Sequence, residues 1–526
     1  MSEISAFDLH QMLLKEENIV VLDPREEGLF SLSPHIFQSI NLPYSRIEWR
    51  LFDILPKKKT RIIVASDDDS LDQKTINKLN EYGYTSTQRL KGGLQDWQKQ
   101  GFYVYTGFNT PSKAFGEFIE SQYHTPSISP EQLNEWLQQK KDIFIVDSRT
   151  PEEHVRGTIP GSTSIPGAEL ALRLPKMITN SQTTIIVNCA GRTRSIIGTQ
   201  SLRNINIPNT VYALRNGTMG WKLAGFEIEK NSKKVTPTLD FKSKFLDNDL
   251  NNKILDKYGI ATISWDSYKK FLFDDDDLAT YLFDVRMVNE YHVGHPRGAT
   301  YAPGGQLIQA TDTFIANKSS RVILFDDFLI RSAITGSWLK QMGYKNVYQL
   351  NPDDKSIEFT SEQSPSFINQ FSYNELCEIS AENLFKSRDS YLVIDLSYSK
   401  KFIQRHIDNA YWCVRSRLFE CLSQLNSSKP IVLTSDEPVM IYLAGKEIKK
   451  LLSNEIYFLK GGNKSWFDAN YPTSEGEINL LTEINDSFIK PFEAKNQSSS
   501  MKQYLEWEVG LVEKVSTDKT INFYKF

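Results

Sequence analysis

Thr184-Ile185-Ile186-Val187-Asn188-Cys189-Ala190-Gly191-Arg192-Thr193-Arg194-Ser195 is the stretch around which this chain is organised. Four β-favouring residues, Thr184 to Val187, run into a cysteine. A glycine and two arginines follow, and Ile196-Ile197-Gly198-Thr199-Gln200-Ser201-Leu202 then reads as a helix. A short apolar strand, a tight loop and a helix in that order are the working unit of a parallel α/β sheet. The same order says where chemistry belongs. Loop N–H groups and a helix N-terminus carry positive partial charge, and guanidinium groups add to it, so a thiol at this point is favoured as its anion. The stretch predicts a sulfur nucleophile at Cys189, and a structural thiol would need neither arginine.

Working outward, the pattern recurs. An apolar strand ending in aspartate occurs four times, at Val20-Val21-Leu22-Asp23, Phe144-Ile145-Val146-Asp147, Leu282-Phe283-Asp284 and Leu392-Val393-Ile394-Asp395. Arginine follows two residues later in three copies, as Arg25, Arg149 and Arg286. Copy two continues Gly157-Thr158-Ile159-Pro160-Gly161, copy three Gly294-His295-Pro296-Arg297-Gly298, and copy four keeps Arg405-His406-Ile407-Asp408-Asn409-Ala410. Each then has a second apolar strand, at 61–65, 184–188, 321–325 and 431–434. Helical patterns follow in the first three copies, at 74–82, 195–204 and 332–342. Three copies close on a leucine, a turn with glycine and a tryptophan: Leu90…Trp97, Leu214…Trp221 and Leu459…Trp466. Copy three stops at Leu350-Asn351-Pro352. The expected fold class is α/β, with four tandem domains, each a mainly parallel sheet with helices on both faces.

The boundaries expected from the repeats are 1–107, 108–232, 257–352 and 366–474, with a C-terminal extension at 475–526. The connections are expected at 108–126, 231–256 and 352–365. The extension predicts a helix with Ser500 as N-cap and Gln503 three residues on, then a strand-like end at 520–524. Its apolar residues require that it pack back on the repeats.

From Cys189 to the second arginine, Arg194, the spacing is C-x4-R, one residue shorter than the C-x5-R loop that cradles a phosphoryl group in cysteine phosphatases. The loop Cys-Ala-Gly-Arg-Thr-Arg-Ser resembles that of the rhodanese (sulfurtransferase) family. The Asp-x-Arg…Gly-x-Ile-Pro-Gly stretch and the Leu-x-x-Gly…Trp ending resemble its flanking motifs. Gly191 precedes Arg192, a departure from the more familiar Cys-Arg-x-Gly order that bears on the donor more than on the reaction. The resemblance implies four rhodanese-like domains and a two-step covalent sulfur exchange in which Cys189 takes a sulfane sulfur as a persulfide. The implied donor is a small anion, thiosulfate or a persulfide. The implied acceptor is cyanide or a thiol of the glutathione or thioredoxin kind. Arg192 and Arg194 are expected at the donor, with one of them an alternative tie from loop to domain. Ala190, Gly191, Thr193 and Ser195 are expected to offer N–H groups to the persulfide. Asp147 and Arg149 support the loop, while Trp221, Gly217 and His154 read as packing. No cofactor and no metal is implied.

Only one copy has the nucleophile. Adding the offset between Asp147 and Asp284 to Cys189 gives Asp326, while Arg194 and Ser195 land on Arg331 and Ser332. Copies one and four place Ser66 and Ser435 at that position, each followed by carboxylates. Two other readings stay open. One is a mercaptopyruvate sulfurtransferase, whose loop typically carries small neutral residues. The other is a non-catalytic scaffold with Cys189 as a redox sensor.

Composition excludes several classes. A net charge of −4 gives no electrostatic case for nucleic acid or an anionic membrane. No apolar run approaches the ~20 residues of a bilayer span. Four cysteines in 526 residues exclude a disulfide scaffold. Cys377, Cys413 and Cys421 read as core or half-buried thiols. Glu3, Asp8 and Lys15 make the first turns unlike a secretory signal. A cytoplasmic protein is expected, where a reactive thiol stays reduced.

Overall fold

A computed structural model describes residues 2–236, 248–362, 376–425 and 427–526. Four five-stranded sheets follow one another along the chain, and every strand pair within them is parallel. In the second, the strands are Ser127–Ile128, Ile143–Asp147, Thr163–Ser164, Thr184–Asn188 and Val211–Leu214, laid side by side in the order first, fifth, fourth, second, third. The other three sheets, from Glu3 to Leu90, Ala261 to Leu350 and Cys377 to Leu459, repeat this order. The expected connections at 231–256 and 352–365 and the start of the segment 366–474 fall partly on 237–247 and 363–375, outside the described residues.

The central strands are short and apolar because both faces are covered. Side chains alternate across a strand. Val146, Ile185 and Val187 point to one core with Leu170 and Leu202, while Ile145 and Ile186 point to another with Leu133 and Trp221. The first sheet divides likewise, Val20 and Leu22 against Ile19 and Val21. The closing tryptophans are buried, and each indole N–H donates to a carbonyl six residues on: Trp97 to Tyr103, Trp221 to Glu227 and Trp466 to Pro472. A buried indole needs that acceptor, which explains why the motif recurs. The helices following the fourth strands run Asp69–Glu81, Thr193–Asn204, Ile330–Gln341 and Pro438–Ile448.

The units pair in a nested way. The first meets the fourth through a buried network in which Arg415 donates to Glu48 at 2.7 and 2.9 Å and to Glu447 at 2.6 and 3.0 Å. The second meets the third where Arg331 donates to Glu169 at 2.8 Å and the Trp338 indole to Ser201 Oγ at 2.9 Å.

Two expectations about the extension are corrected. The helix is longer, Gln497–Thr517, and Asn496 caps it through its side chain to the Ser499 N–H; Ser500 lies inside the first turn. Residues 520–524 form no strand; Phe523 instead packs its ring against Phe115 and Phe118, a use of apolar residues that needs no sheet edge. Cys377 is also exposed rather than half-buried, because it begins the edge strand Cys377–Ile379, which pairs on one side only. Cys413 and Cys421 are buried. No helix among the described residues is long and apolar enough to cross a membrane.

Candidate active site

Cys189 follows directly on the strand Thr184–Asn188 and is 2 % exposed. Its carbonyl accepts from the Thr218 N–H at 2.8 Å and the Thr218 hydroxyl at 2.7 Å, and the Ala190 carbonyl accepts from the Met219 N–H at 3.0 Å. The turn supplying these donors comes too close for any side chain at Gly217. Its φ is +51°, and a Cβ there would overlap the Cys189 carbonyl oxygen. Gly93 and Gly462 stand in the same relation to the carbonyls of Ser66 and Ser435. That shared contact establishes the three positions as equivalent in space.

The sulfur lies at the start of a helix. Sγ is 3.4 Å from Oγ of Ser195, the third residue of Thr193–Asn204, and the Ser195 hydroxyl donates to the Arg192 carbonyl at 2.8 Å. First-turn N–H groups have no intrahelical acceptor. The third unit shows what such a loop gathers. At the cysteine position, Asp326 accepts from the N–H groups of Phe328 at 3.0 Å, Arg331 at 2.8 Å and Ser332 at 3.4 Å, and from the Arg331 guanidinium at 2.9 Å. The corresponding residues beside Cys189 are Gly191, Arg194 and Ser195. In the first unit the Ser66 hydroxyl donates to Asp72 at 2.6 Å, and in the fourth Ser435 Oγ accepts from the Glu437 N–H at 3.1 Å.

Both loop arginines are committed to carboxylates. Arg192 donates to Glu117 at 2.5 and 2.7 Å, to Glu120, and to Asn216 Oδ1 at 3.3 Å. Arg194 grips Glu153 with two bonds, 2.7 and 2.9 Å. Burial opposes ionisation of Glu153, but Arg194 outweighs it and holds the carboxyl down at about 2. Glu117 goes the other way, pushed up to about 7 by burial in spite of Arg192, with Glu508 and Glu120 adding to the rise. Arg149 closes on Asp147 at 2.9 and 2.6 Å and on the Gly157 carbonyl at 2.6 Å. The pairs Arg25–Asp23 and Arg286–Asp284 repeat that geometry in units without the cysteine. Arg149 is therefore a brace of the fold. Burial opposes the charge on Asp147, yet Arg149 keeps it well below the usual carboxylate range. His154 is fully buried, with Nδ1 3.2 Å from Asp147.

Cys189 opens onto a cavity of about 1290 Å³. Its walls come from the second unit, from Glu27 and Arg50 of the first, from Met287, Tyr301 and Gln306 of the third, and from Tyr504 and Glu508 of the C-terminal helix. Lys113, on the helix Thr110–Tyr123 between the first two sheets, also faces it. Glu508 accepts from the Thr193 hydroxyl at 2.7 Å, and Met501 and Leu505 pack on Met219. Sequence reasoning treated the first of these helical segments as a connection and expected the second to pack back on the repeats, but gave Lys113, Glu117, Tyr504 and Glu508 no part in the site. The available signal was charge at helical spacing within apolar stretches, Lys113/Glu117/Glu120 and Tyr504/Glu508.

The model of the rhodanese-like domain matches residues 5–100, 129–224 and 264–352, more than half of the chain. This chain belongs to the rhodanese-like domain family. The fourth rhodanese unit lies outside those matches but has the same strand order. The crystal structure of a thiosulfate sulfurtransferase from Pseudomonas aeruginosa matches 100% of this chain and 99% of its own at 34% identity, with a TM-score of 0.92. An uncharacterized protein of Buchnera aphidicola subsp. Baizongia pistaciae is 26% identical over 103 residues, covering 19% of this rhodanese chain and 69% of its own length.

Proposed function

We propose that this chain is a rhodanese-type sulfurtransferase in which Cys189 carries sulfane sulfur from thiosulfate or a persulfide to a thiol or cyanide. The observation that carries this reading is the contrast among the four equivalent loops. Only the second bears a nucleophile, while the third folds its amides around its own Asp326 carboxylate. A loop that collects N–H groups on an anion at that point suits a persulfide anion when the carboxylate is replaced by sulfur. The end-to-end similarity to a thiosulfate sulfurtransferase supports the same donor class.

In the first half-reaction the Cys189 thiolate attacks the outer sulfur of thiosulfate. The S–S bond breaks, sulfite leaves with the electron pair, and Cys189 becomes a persulfide. In the second, an acceptor thiolate or cyanide attacks the terminal sulfur and the Cys189 thiolate departs, giving a persulfide or thiocyanate. No general base is required once the thiol is ionised. The chemistry needs a reduced cysteine, which fits a reducing compartment such as the cytoplasm. The other three units serve as docking and framing domains.

Intact mass after incubation with thiosulfate tests this. The full chain should gain one sulfur that cyanide removes, and Cys189→Ser should gain none. A wild-type chain that takes up no sulfur from thiosulfate or from a persulfide overturns the proposal.

A further inference from the structure

We infer that Lys113, outside the Cys189 loop, is the residue that binds the anionic group of the sulfur donor. The inference rests on the sulfurtransferase reading above and assigns its donor subsite. The Lys113 side chain is 5 % exposed and lines the Cys189 cavity, and among the described residues its Nζ has no hydrogen-bond partner. A buried ammonium whose hydrogens find no acceptor is costly, and its position is explained if an anion accepts from it. The loop guanidinium groups do not answer the need. Arg192 is spent on Glu117 and Glu120, and Arg194 on Glu153. Of the cavity's other cations, Lys222 is bonded to Gln497, Arg149 to Asp147 and Arg50 to the Thr313 carbonyl, and Arg156, Lys230 and Lys490 are exposed to water.

Charges reach Lys113 from each element around it: Glu508 of the C-terminal helix, Cys189 and Arg194 of the loop, and Asp312 of the third unit. Glu508 is fully buried as well, with Oε2 unpartnered. Burial pushes the Glu508 carboxyl up against the opposing pull of Lys113. Burial also pushes Lys113 down to about 8, with Glu508 opposing. Lys113 is thus charged at neutral pH and loses its charge just above it.

The test uses the full-length chain with thiosulfate as donor and cyanide as acceptor. Lys113→Met keeps the length and apolar stem of the side chain and removes the charge. It should raise KM for thiosulfate about tenfold or more at pH 7 with kcat within about threefold. Cyanide should discharge a preloaded Cys189 persulfide at the wild-type rate, since that step involves no donor anion. The wild type should show a rise in KM above pH 8, and Lys113→Arg should retain a low KM without that rise. Calorimetric titration of thiosulfate into Cys189→Ser, with and without Lys113→Met, should show the same loss of affinity directly. An unchanged KM in Lys113→Met, beside an active wild type, overturns the inference and leaves the sulfurtransferase reading standing. Equal slowing of loading and discharge with a lowered Tm also overturns it, because the role is then structural. A wild type that takes no sulfur from thiosulfate removes both.

Discussion

Cys189 is anchored through its carbonyl, by Thr218, while its sulfur faces the cavity. This separation lets a residue be rigid and reactive at once. Cys189→Ser should abolish sulfur transfer, while Cys377→Ser, Cys413→Ser and Cys421→Ser should leave it largely intact, as measured by thiocyanate formation. Gly217 tolerates no side chain, because the left-handed backbone and the Cys189 carbonyl both exclude a Cβ. Gly217→Ala should cost about 1–3 kcal/mol of stability and move the loop. Thermal unfolding together with kcat/KM would register both effects, and an unshifted Tm would contradict the contact. Asp326→Cys alone should not create a second site. The new thiol would face the buried Arg331 with its partners Glu290, Glu169 and Asp327 still in place. The third-unit loop also bends differently, with Leu329 at φ +64° where Arg192 has φ −120°. Grafting Cys-Ala-Gly-Arg-Thr-Arg over 326–331 in a Cys189→Ser background should do better, and sulfur transfer by Asp326→Cys near the parent rate would show that the carboxylate ring is unimportant.

Two helices outside the repeats hold the Cys189 loop from the side. Thr110–Tyr123 supplies the carboxylates for Arg192, and Gln497–Thr517 lays Leu505 and Glu508 against Gly191 and Thr193. A Cβ on Gly191 would lie 3.3 Å from Glu508 Oε2, so the helix presses on the loop itself. Leu505 is 6 % exposed and packs with Met501 and Met219. Leu505→Ala should cost roughly 2–4 kcal/mol, by lost burial and a residual cavity. That loss falls on the docking of the helix. Limited proteolysis should then cut the C-terminal segment sooner, and kcat/KM for thiosulfate should fall with it. Faster cleavage with unchanged kinetics would mean that the helix does not shape the site.

At the scale of the molecule, units one and four and units two and three close on each other around buried charge. Glu26 of the first unit accepts from the Ser45 hydroxyl at 2.5 Å and, across the interface, from the Ser416 hydroxyl at 2.9 Å, with no arginine bonded to it among the described residues. Burial pushes it up to about 7, from an ordinary value of 4.5. The folded chain therefore binds the extra proton between those values. The stability this contributes is fully present below about pH 4.5 and is lost as pH rises through 7, a change of up to about 3 kcal/mol. Asp72, also pushed up to about 7 by burial, adds a slope of the same sign. Glu26→Gln keeps an acceptor for both hydroxyls without the charge, so Tm between pH 5 and 8 should fall less steeply than in the parent. Parallel Tm profiles would show that Glu26 is solvated in solution.

The fold was legible because a two-sided parallel sheet imposes short apolar strands, and because the turns around Gly217 and Trp221 have steric and hydrogen-bonding needs that few residues meet. The fourth unit could be read from Asp395 and Leu459…Trp466 for the same reason. The place proposed for the nucleophile was legible because a strand end, a loop and a helix start are adjacent in the chain. What encloses it was not. Glu117, Lys113, Tyr504 and Glu508 reach Cys189 only after the connecting and C-terminal helices fold back across the second unit, up to 319 residues away in sequence for Glu508. Local pattern shows polar groups at helical spacing and a need to pack, but not which surface they will meet. The arginines illustrate the limit: sequence alone placed two positive charges beside the thiol, but only the packed structure decided that carboxylates from other elements would claim them and leave a buried lysine facing the cavity.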